Sequence, residues 1–307
     1  MAKNPRGVYA AILTPLNADL EPDLGAFVNH GRWLLANGCD GLAPLGTTGE
    51  ANSLSLKQRM RIIEATQTKL PIERCIVGAG SCALADAVQL AREATNAGAG
   101  GVLMLPPFYY KNPSEDGLYN FFAAAIERVA DPRLRLYLYH FPQLSAVGIT
   151  SALIHRLKRA FGDTIAGLKD SGGDWNFSAA LLKEFPGFGV FSGSEQYLLN
   201  NLRAGGVGTI SASVNVTAPL AQPVYRHWQQ PEADALQATL TAMRVLFQDY
   251  PLIAGLKETM ALITGNPAWR TILPPNVPLG PAEAAALTAK LAELPAMQPV
   301  IAAARAA

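Results

Sequence analysis

Short runs of consecutive apolar residues, each bounded by Gly, Pro or Asp, recur along the chain, and segments with apolar residues three and four apart lie between them. The runs at 7–16, 41–46, 73–80, 101–107, 134–142, 164–170, 189–193 and 208–214 predict β-strands. The segments 56–70, 84–98, 117–130 and 150–161 predict amphipathic helices. The repeat is roughly 20 to 35 residues, the length of one strand–helix unit. Strands that are apolar throughout belong in a parallel sheet covered on both faces. About eight such units predict an α/β fold, a closed (β/α)8 barrel.

A doubly wound open sheet is the competing reading. It usually has fewer strands, and its nucleotide-binding form needs a Gly-rich turn after the first strand. Here that strand ends Ile12-Leu13-Thr14-Pro15-Leu16, with no such turn. After Gln230 the strands stop, and 233–248, 252–264 and 281–294 read as helices. The expected division is a barrel over residues 1–228 and a helical extension over 229–307, ending in an Ala-rich tail expected to fray.

Composition narrows the function classes. Half of the 307 residues are apolar and the net charge is +1, with acids and bases mixed along the chain. The chain has no basic block and no aromatic-plus-basic patch, so nucleic acid is not an expected partner. No apolar run approaches a membrane span, and Met1-Ala2-Lys3-Asn4-Pro5-Arg6 leads into a strand rather than a signal-peptide core. A soluble cytoplasmic protein is expected. Cys39, Cys75 and Cys82 are odd in number and lack metal spacing, which suits buried or inert thiols in a reducing compartment. His30, His140, His155 and His227 are scattered, so no metal and no other cofactor is expected.

The chemistry is suggested by what stands at the strand ends. The run Thr164-Ile-Ala-Gly-Leu-Lys169 ends on a lysine, and Leu134-Arg-Leu-Tyr-Leu-Tyr139 ends on a tyrosine. A buried ammonium is costly unless paired, and a lysine commonly responds by losing its proton. The neutral amine is a nucleophile toward carbonyls, and a phenol beside it can move protons. The bland reading is a lysine turned out to solvent and a tyrosine packed for its ring. In a barrel, however, the C-terminal strand ends share one rim. That rim would also carry Gly46-Thr47-Thr48-Gly49-Glu50, whose hydroxyls and backbone N–H groups can hold a carboxylate, or serve merely as a helix cap. It would carry Phe108-Tyr109-Tyr110, Ser171 and Ser194 as well.

Taken in order, Thr14-Pro15, Gly46-Thr47-Thr48-Gly49-Glu50, Pro107-Phe108-Tyr109, Tyr139-His140-Phe141-Pro142, Gly167-Leu168-Lys169-Asp170-Ser171, Ser192-Gly193 and Gly205-Gly206-Val207-Gly208 run over nearly the whole chain. This sequence resembles the dihydrodipicolinate synthase and N-acetylneuraminate lyase family of Schiff-base (class I) aldolases. The resemblance implies a TIM barrel with a C-terminal helical extension, usually a homotetramer, acting on a small 2-oxo acid. It implies that Lys169 forms the Schiff base, Tyr139 is the acid/base, and Thr47 and Thr48 bind the carboxylate beside Gly46. Tyr109 matches the tyrosine that members send into a neighbouring subunit's site, and Ile210 an apolar residue lining the pyruvate pocket.

One departure bears on substrate. Synthase members carry an Arg five residues after the catalytic Tyr, for the carboxylate of aspartate semialdehyde, and that position here is Leu144. Leu cannot make a bidentate carboxylate pair. The expectation is therefore cleavage or dehydration of a 2-keto-3-deoxy sugar acid or a related hydroxylated 2-oxo acid, with Ser171, Ser194 and His140 as hydroxyl contacts. His140 is equally readable as a hydrogen-bonded structural histidine. The alternatives are a synthase with a basic residue supplied from elsewhere, and a non-catalytic member that only binds a 2-oxo acid.

Overall fold

Eight parallel strands surround a common axis in a computed structural model that describes residues 4–295 together with Met297 and Val300. They are β1 (Gly7–Ala10), β2 (Gly41–Leu42), β3 (Ile76–Gly78), β4 (Gly101–Met104), β5 (Leu136–His140), β6 (Ile165–Asp170), β7 (Gly189–Ser192) and β8 (Gly208–Ser211). Each pairs with its neighbour in sequence, except β2 with β3, and β1 also pairs with β8. The remaining seam, between β2 and β3, is closed by a parallel bridge from Leu42 to Cys75 and by the Gly78 N–H donating to the Pro44 carbonyl at 2.8 Å. A Cβ at Gly78 would lie 2.0 Å from the Leu45 carbonyl oxygen, so only glycine permits that closure.

The strands are shorter than the apolar runs that predict them, because the chain peels away from the ladder at the rim. After Ala10, the Leu13 N–H turns to the side chain of Asn215 and the Thr14 hydroxyl donates to the Gly49 carbonyl. The predicted helices appear, Leu84–Asn96 without a side-chain cap and the other three with clear start signals. Ser55 and Gln58 form a capping box on Leu56–Lys69, while Ser114 and Thr150 cap Glu115–Val129 and Ser151–Phe161. The helices Leu24–Ala36, Trp175–Glu184, Leu198–Arg203 and Val214–Arg226 complete the outer ring. Beyond it lie Ala233–Leu246, Leu252–Thr264 and Pro281–Ala292, all at predicted places. No described helix is long and apolar enough to cross a membrane.

Three apolar clusters result. The largest lies between strands and outer helices. A smaller one fills the barrel itself with Tyr9, Ile76, Leu103, Tyr137, Phe191 and Ile210. Period-two alternation sends these residues inward, and the Tyr137 ring lies where a side chain at Gly167 would project, 2.7 Å from its would-be Cβ. The third cluster joins Leu13, Ala212 and Val216 of the barrel to Met243, Phe247, Leu256, Met260 and Trp269 of the C-terminal helices. Cys39 and Cys75 are buried as expected, but Cys82 is exposed: it lies in the loop before Leu84–Asn96 rather than in a strand.

Beside that third cluster, buried His30 donates from Nε2 to the Asn215 side-chain oxygen at 2.9 Å. The Asn215 amide nitrogen donates to the Ala11 and Ala212 carbonyls, which fixes its orientation and leaves the oxygen as His30's acceptor. Burial lowers the His30 pKa from 6.5 to about 4, with the Asn215 hydrogen bond offsetting part of the effect. The folded value is the depressed one. Its contribution is therefore complete above about pH 6.5 and is lost as pH falls toward 4, amounting to roughly 3 kcal/mol. Urea melts between pH 7 and 4 are expected to show this loss, and His30→Gln is expected to flatten that part of the profile.

Candidate active site

The register of two neighbouring strands sets the centre of the site. Tyr139 on β5 lies opposite Lys169 on β6, one residue before each strand ends. Residues opposite one another in a parallel ladder project to the same face, so both enter the barrel at its C-terminal rim. Lys169 Nζ donates to the Tyr139 hydroxyl at 3.2 Å and lies 4.4 Å from the centre of its ring. Both side chains are buried, and among the described residues no carboxylate is paired with Lys169.

Thr47 arrives from the turn after β2, its hydroxyl 3.5 Å from the Tyr139 oxygen. That turn is tightly wound. Leu45 and Glu50 both have positive φ, 61° and 55°, a conformation that costs non-glycine residues and is held here by the surroundings. Burial would raise the Tyr139 phenol, but the charge of Lys169 and hydrogen bonding from Thr47, Ser171 and Lys169 outweigh it, so the net shift is below the ordinary tyrosine value. A phenol made more acidic next to an amine is equipped to pass a proton in either direction.

Above these groups lies a cavity of about 830 Å³, lined by Thr47, Thr48, Tyr139, Lys169, Ser171 and Ser194 from the rim. Leu144 also lines it, 62% exposed on the short helix Pro142–Ser145. The other wall comes from the C-terminal helices and the segment after them, including Arg244, Gln248, Leu252, Ile253, Asn276 and Val277.

Four residues singled out in the sequence lie elsewhere. Gly46 sits beneath Thr47 in the rim turn, its carbonyl accepting from the Ala51 N–H. Ile210 is fully buried in the barrel interior below the cavity. His140 stacks on Phe177 with ring centres 4.2 Å apart, and its Nδ1 accepts the Ile149 N–H at 3.0 Å. Period-two alternation turns it away from its neighbour Tyr139, and burial lowers its pKa, with Asp170 and the Ile149 hydrogen bond opposing. Tyr109 is 72% exposed and meets Tyr110 edge-on at 5.3 Å, outside the cavity of its own chain. Among the described residues no three His, Cys, Asp or Glu side chains gather as a metal site would require.

Comparison with known proteins fits this geometry. A model of the dihydrodipicolinate synthetase family matches residues 4–294. The chain belongs to that family. It is 35% identical over 288 residues to a protein of Chloroflexus aurantiacus named an uncharacterized DapA-like lyase, covering 93% of this chain and 95% of that one. It is 33% identical to the 4-hydroxy-tetrahydrodipicolinate synthase of Gluconacetobacter diazotrophicus, over 78% and 80% of the two chains. Among solved structures, dihydrodipicolinate synthase from Agrobacterium tumefaciens superposes with a TM-score of 0.87 at 29% identity, covering 94% of this chain and 99% of its own. YagE of E. coli K12, a family member solved in complex with pyruvate, superposes at 0.85 and 27% identity, over 94% and 98%. The TIM barrel with C-terminal helices is thus the family's fold, and the chain is a lyase of this family.

Two groups escape the sequence reading. Glu50 closes the Gly46–Glu50 motif, but its buried carboxylate reaches across to the C-terminal part. It pairs with Lys257, 1% exposed, and accepts the Leu273 N–H at 2.7 Å, while Lys257 also donates to the Thr271 carbonyl at 2.8 Å. Burial lowers the Lys257 pKa, and Glu50 opposes that shift. Glu195 is fully buried and accepts from the hydroxyls of Ser211, Ser213 and Thr217, while its carbonyl takes the Gln237 side chain at 2.8 Å. Both partnerships span long stretches of chain, so no local pattern announces them. Removing one partner of a buried pair strands the other charge. Lys257→Met is expected to cost about 3–5 kcal/mol in chemical denaturation, and Glu50→Gln combined with it to cost less than the two single changes added together.

Proposed function

We propose that the protein is a class I aldolase-type lyase that forms an imine between Lys169 and a 2-oxo acid and then cleaves or dehydrates a hydroxylated substrate. The contact between Lys169 and Tyr139, at 3.2 Å with Thr47 beside them, carries this reading. The amine attacks the 2-oxo carbon, and Tyr139 supplies the proton that turns the carbinolamine oxygen into a leaving water. The resulting iminium draws electrons from the C3–C4 bond as the 4-hydroxyl loses its proton, releasing an aldehyde. Protonation at C3 and hydrolysis of the iminium then release pyruvate and restore the amine. In the dehydrating variant the same iminium acidifies C3, and a hydroxyl leaves as water. The Thr47 and Thr48 hydroxyls and the N–H groups of their turn hold the 2-oxo acid's carboxylate. A relative crystallised with pyruvate supports that choice.

Ser171 and Ser194 line the cavity and serve as hydroxyl contacts for the substrate. His140 is better matched to holding the rim, because its Nδ1 is already occupied. Gly46 and Ile210 shape the floor on which the pyruvoyl end rests. Tyr109 contributes to a neighbouring subunit's site in a homotetramer, a role its exposure supports.

Borohydride treatment in the presence of pyruvate is expected to add a reduced pyruvyl group to Lys169, read by intact mass and peptide mapping. A folded protein that shows no pyruvate-dependent adduct would remove the basis of the reading. Tyr139→Phe is expected to retain pyruvate binding and to slow turnover by roughly 10²–10⁴-fold, measured by coupling pyruvate release to lactate dehydrogenase.

A further inference from the structure

Arg244 lies on Ala233–Leu246, in the wall of the cavity facing the rim. Two turns earlier on the same face, Gln237 accepts the Leu199 N–H at 3.0 Å and donates to the Glu195 carbonyl, which fastens the helix over the end of β7. Residues seven apart share one side of a helix, so Arg244 is held against the cavity by that fastening. Its Nε and Nη1 are buried without any hydrogen-bond partner, and among the described residues no carboxylate is paired with it. The two acidic side chains in the same lining are already committed. Asp170 accepts from the Gly172 N–H and the Ser178 hydroxyl, and Asp174 from the Asn176 N–H.

Arg244 and Lys169 are the two cationic side chains of the cavity lining. An Arg at a binding surface normally spends its N–H groups on a planar anion, most effectively a carboxylate held two-point. Leaving the shielded Nε and Nη1 unmet is costly, and that cost is recovered when the guanidinium swings into the cavity it lines to meet a ligand carboxylate.

We propose that Arg244 receives a second carboxylate at the far end of the substrate, so that the site takes a hydroxylated 2-oxo dicarboxylic acid. This rests on the reading of Lys169 and the Thr47–Thr48 turn as the pyruvoyl end of the site. It amends the expectation drawn from Leu144, since the cation absent from that position is supplied by a different element. The dicarboxylate bridges the cavity, one carboxylate on the threonine turn and the other on the guanidinium, with its hydroxyls between.

The test separates binding from chemistry. Calorimetry compares glutarate with pentanoate, unreactive five-carbon acids that differ in the second carboxylate. Wild-type protein is expected to bind glutarate at least about tenfold more tightly. Arg244→Gln is expected to reduce that preference to within about twofold, and Arg244→Lys to keep part of it. Less than twofold preference in the wild type, or a preference that survives in Arg244→Gln, overturns the proposal. If Arg244→Gln does not fold, the wild-type and Arg244→Lys comparisons carry the test. In parallel, kcat/KM for 4-hydroxy-2-oxoglutarate should exceed that for 4-hydroxy-2-oxopentanoate by at least about tenfold, and the reverse order counts against Arg244. A glutarate preference without any pyruvate adduct on Lys169 would sink the lyase mechanism while leaving the Arg244 site standing. An adduct without the preference would do the opposite.

Discussion

Glu50 and Lys257 meet in the dry seam between the barrel and its C-terminal helices, and both the threonine turn and the wall facing it are referred to that contact. On one side, Glu50 ends the turn that carries Thr47 and Thr48, with backbone angles that would relax if nothing held them. On the other, Lys257 sits in Leu252–Thr264 and reaches the Thr271 carbonyl, while Glu50 takes the Leu273 N–H. A buried ion pair contributes little net stability compared with apolar packing, but it tolerates little misplacement. Its role here is positional: it sets the height of the cavity wall above the threonine turn.

The chemistry depends on a second alignment, the pairing of β5 with β6. With Tyr139 opposite Lys169, both side chains enter the barrel at one level. A slip of one residue in either strand would send that strand's member of the pair to the opposite face, into the packing against the outer helices. The aromatic filling below them, Tyr137 against Phe191 at 5.8 Å, makes such a slip costly, because Gly167 leaves room for the Tyr137 ring at that one register.

The barrel was legible because its signals are local. Apolar runs, capping residues and turn glycines each report within a few positions, and their order gave the strand–helix alternation. Strand ends were less legible, since apolar residues such as Leu13 continue past the ladder into the loops that meet Asn215. The rim residues Lys169, Tyr139, Thr47, Thr48, Ser171, Ser194 and Leu144 could be gathered because the barrel geometry tells where strands end, and all seven line the cavity. His140, Ile210 and Tyr109 do not line it, because a motif specifies which residue is present and not which way its side chain turns, and Gly46 lies beneath the threonines as backbone alone. Arg244 was invisible for a different reason. It stands in an ordinary amphipathic helix, and what distinguishes it is a missing partner, which only three-dimensional structure reveals.

The cavity is assembled from two separately encoded parts. Lys169, Tyr139 and the Thr47–Thr48 turn come from strand ends in the first two-thirds of the chain, whereas the facing wall comes from residues 244–277. Mutations in that later stretch can alter what fits above the lysine without disturbing strand pairing or the amine itself. Such an arrangement allows substrate range to drift while the reaction stays fixed, so divergence in substrate among related chains would accumulate in the C-terminal third. A chimera that exchanges only that third would then be the natural unit for transplanting specificity.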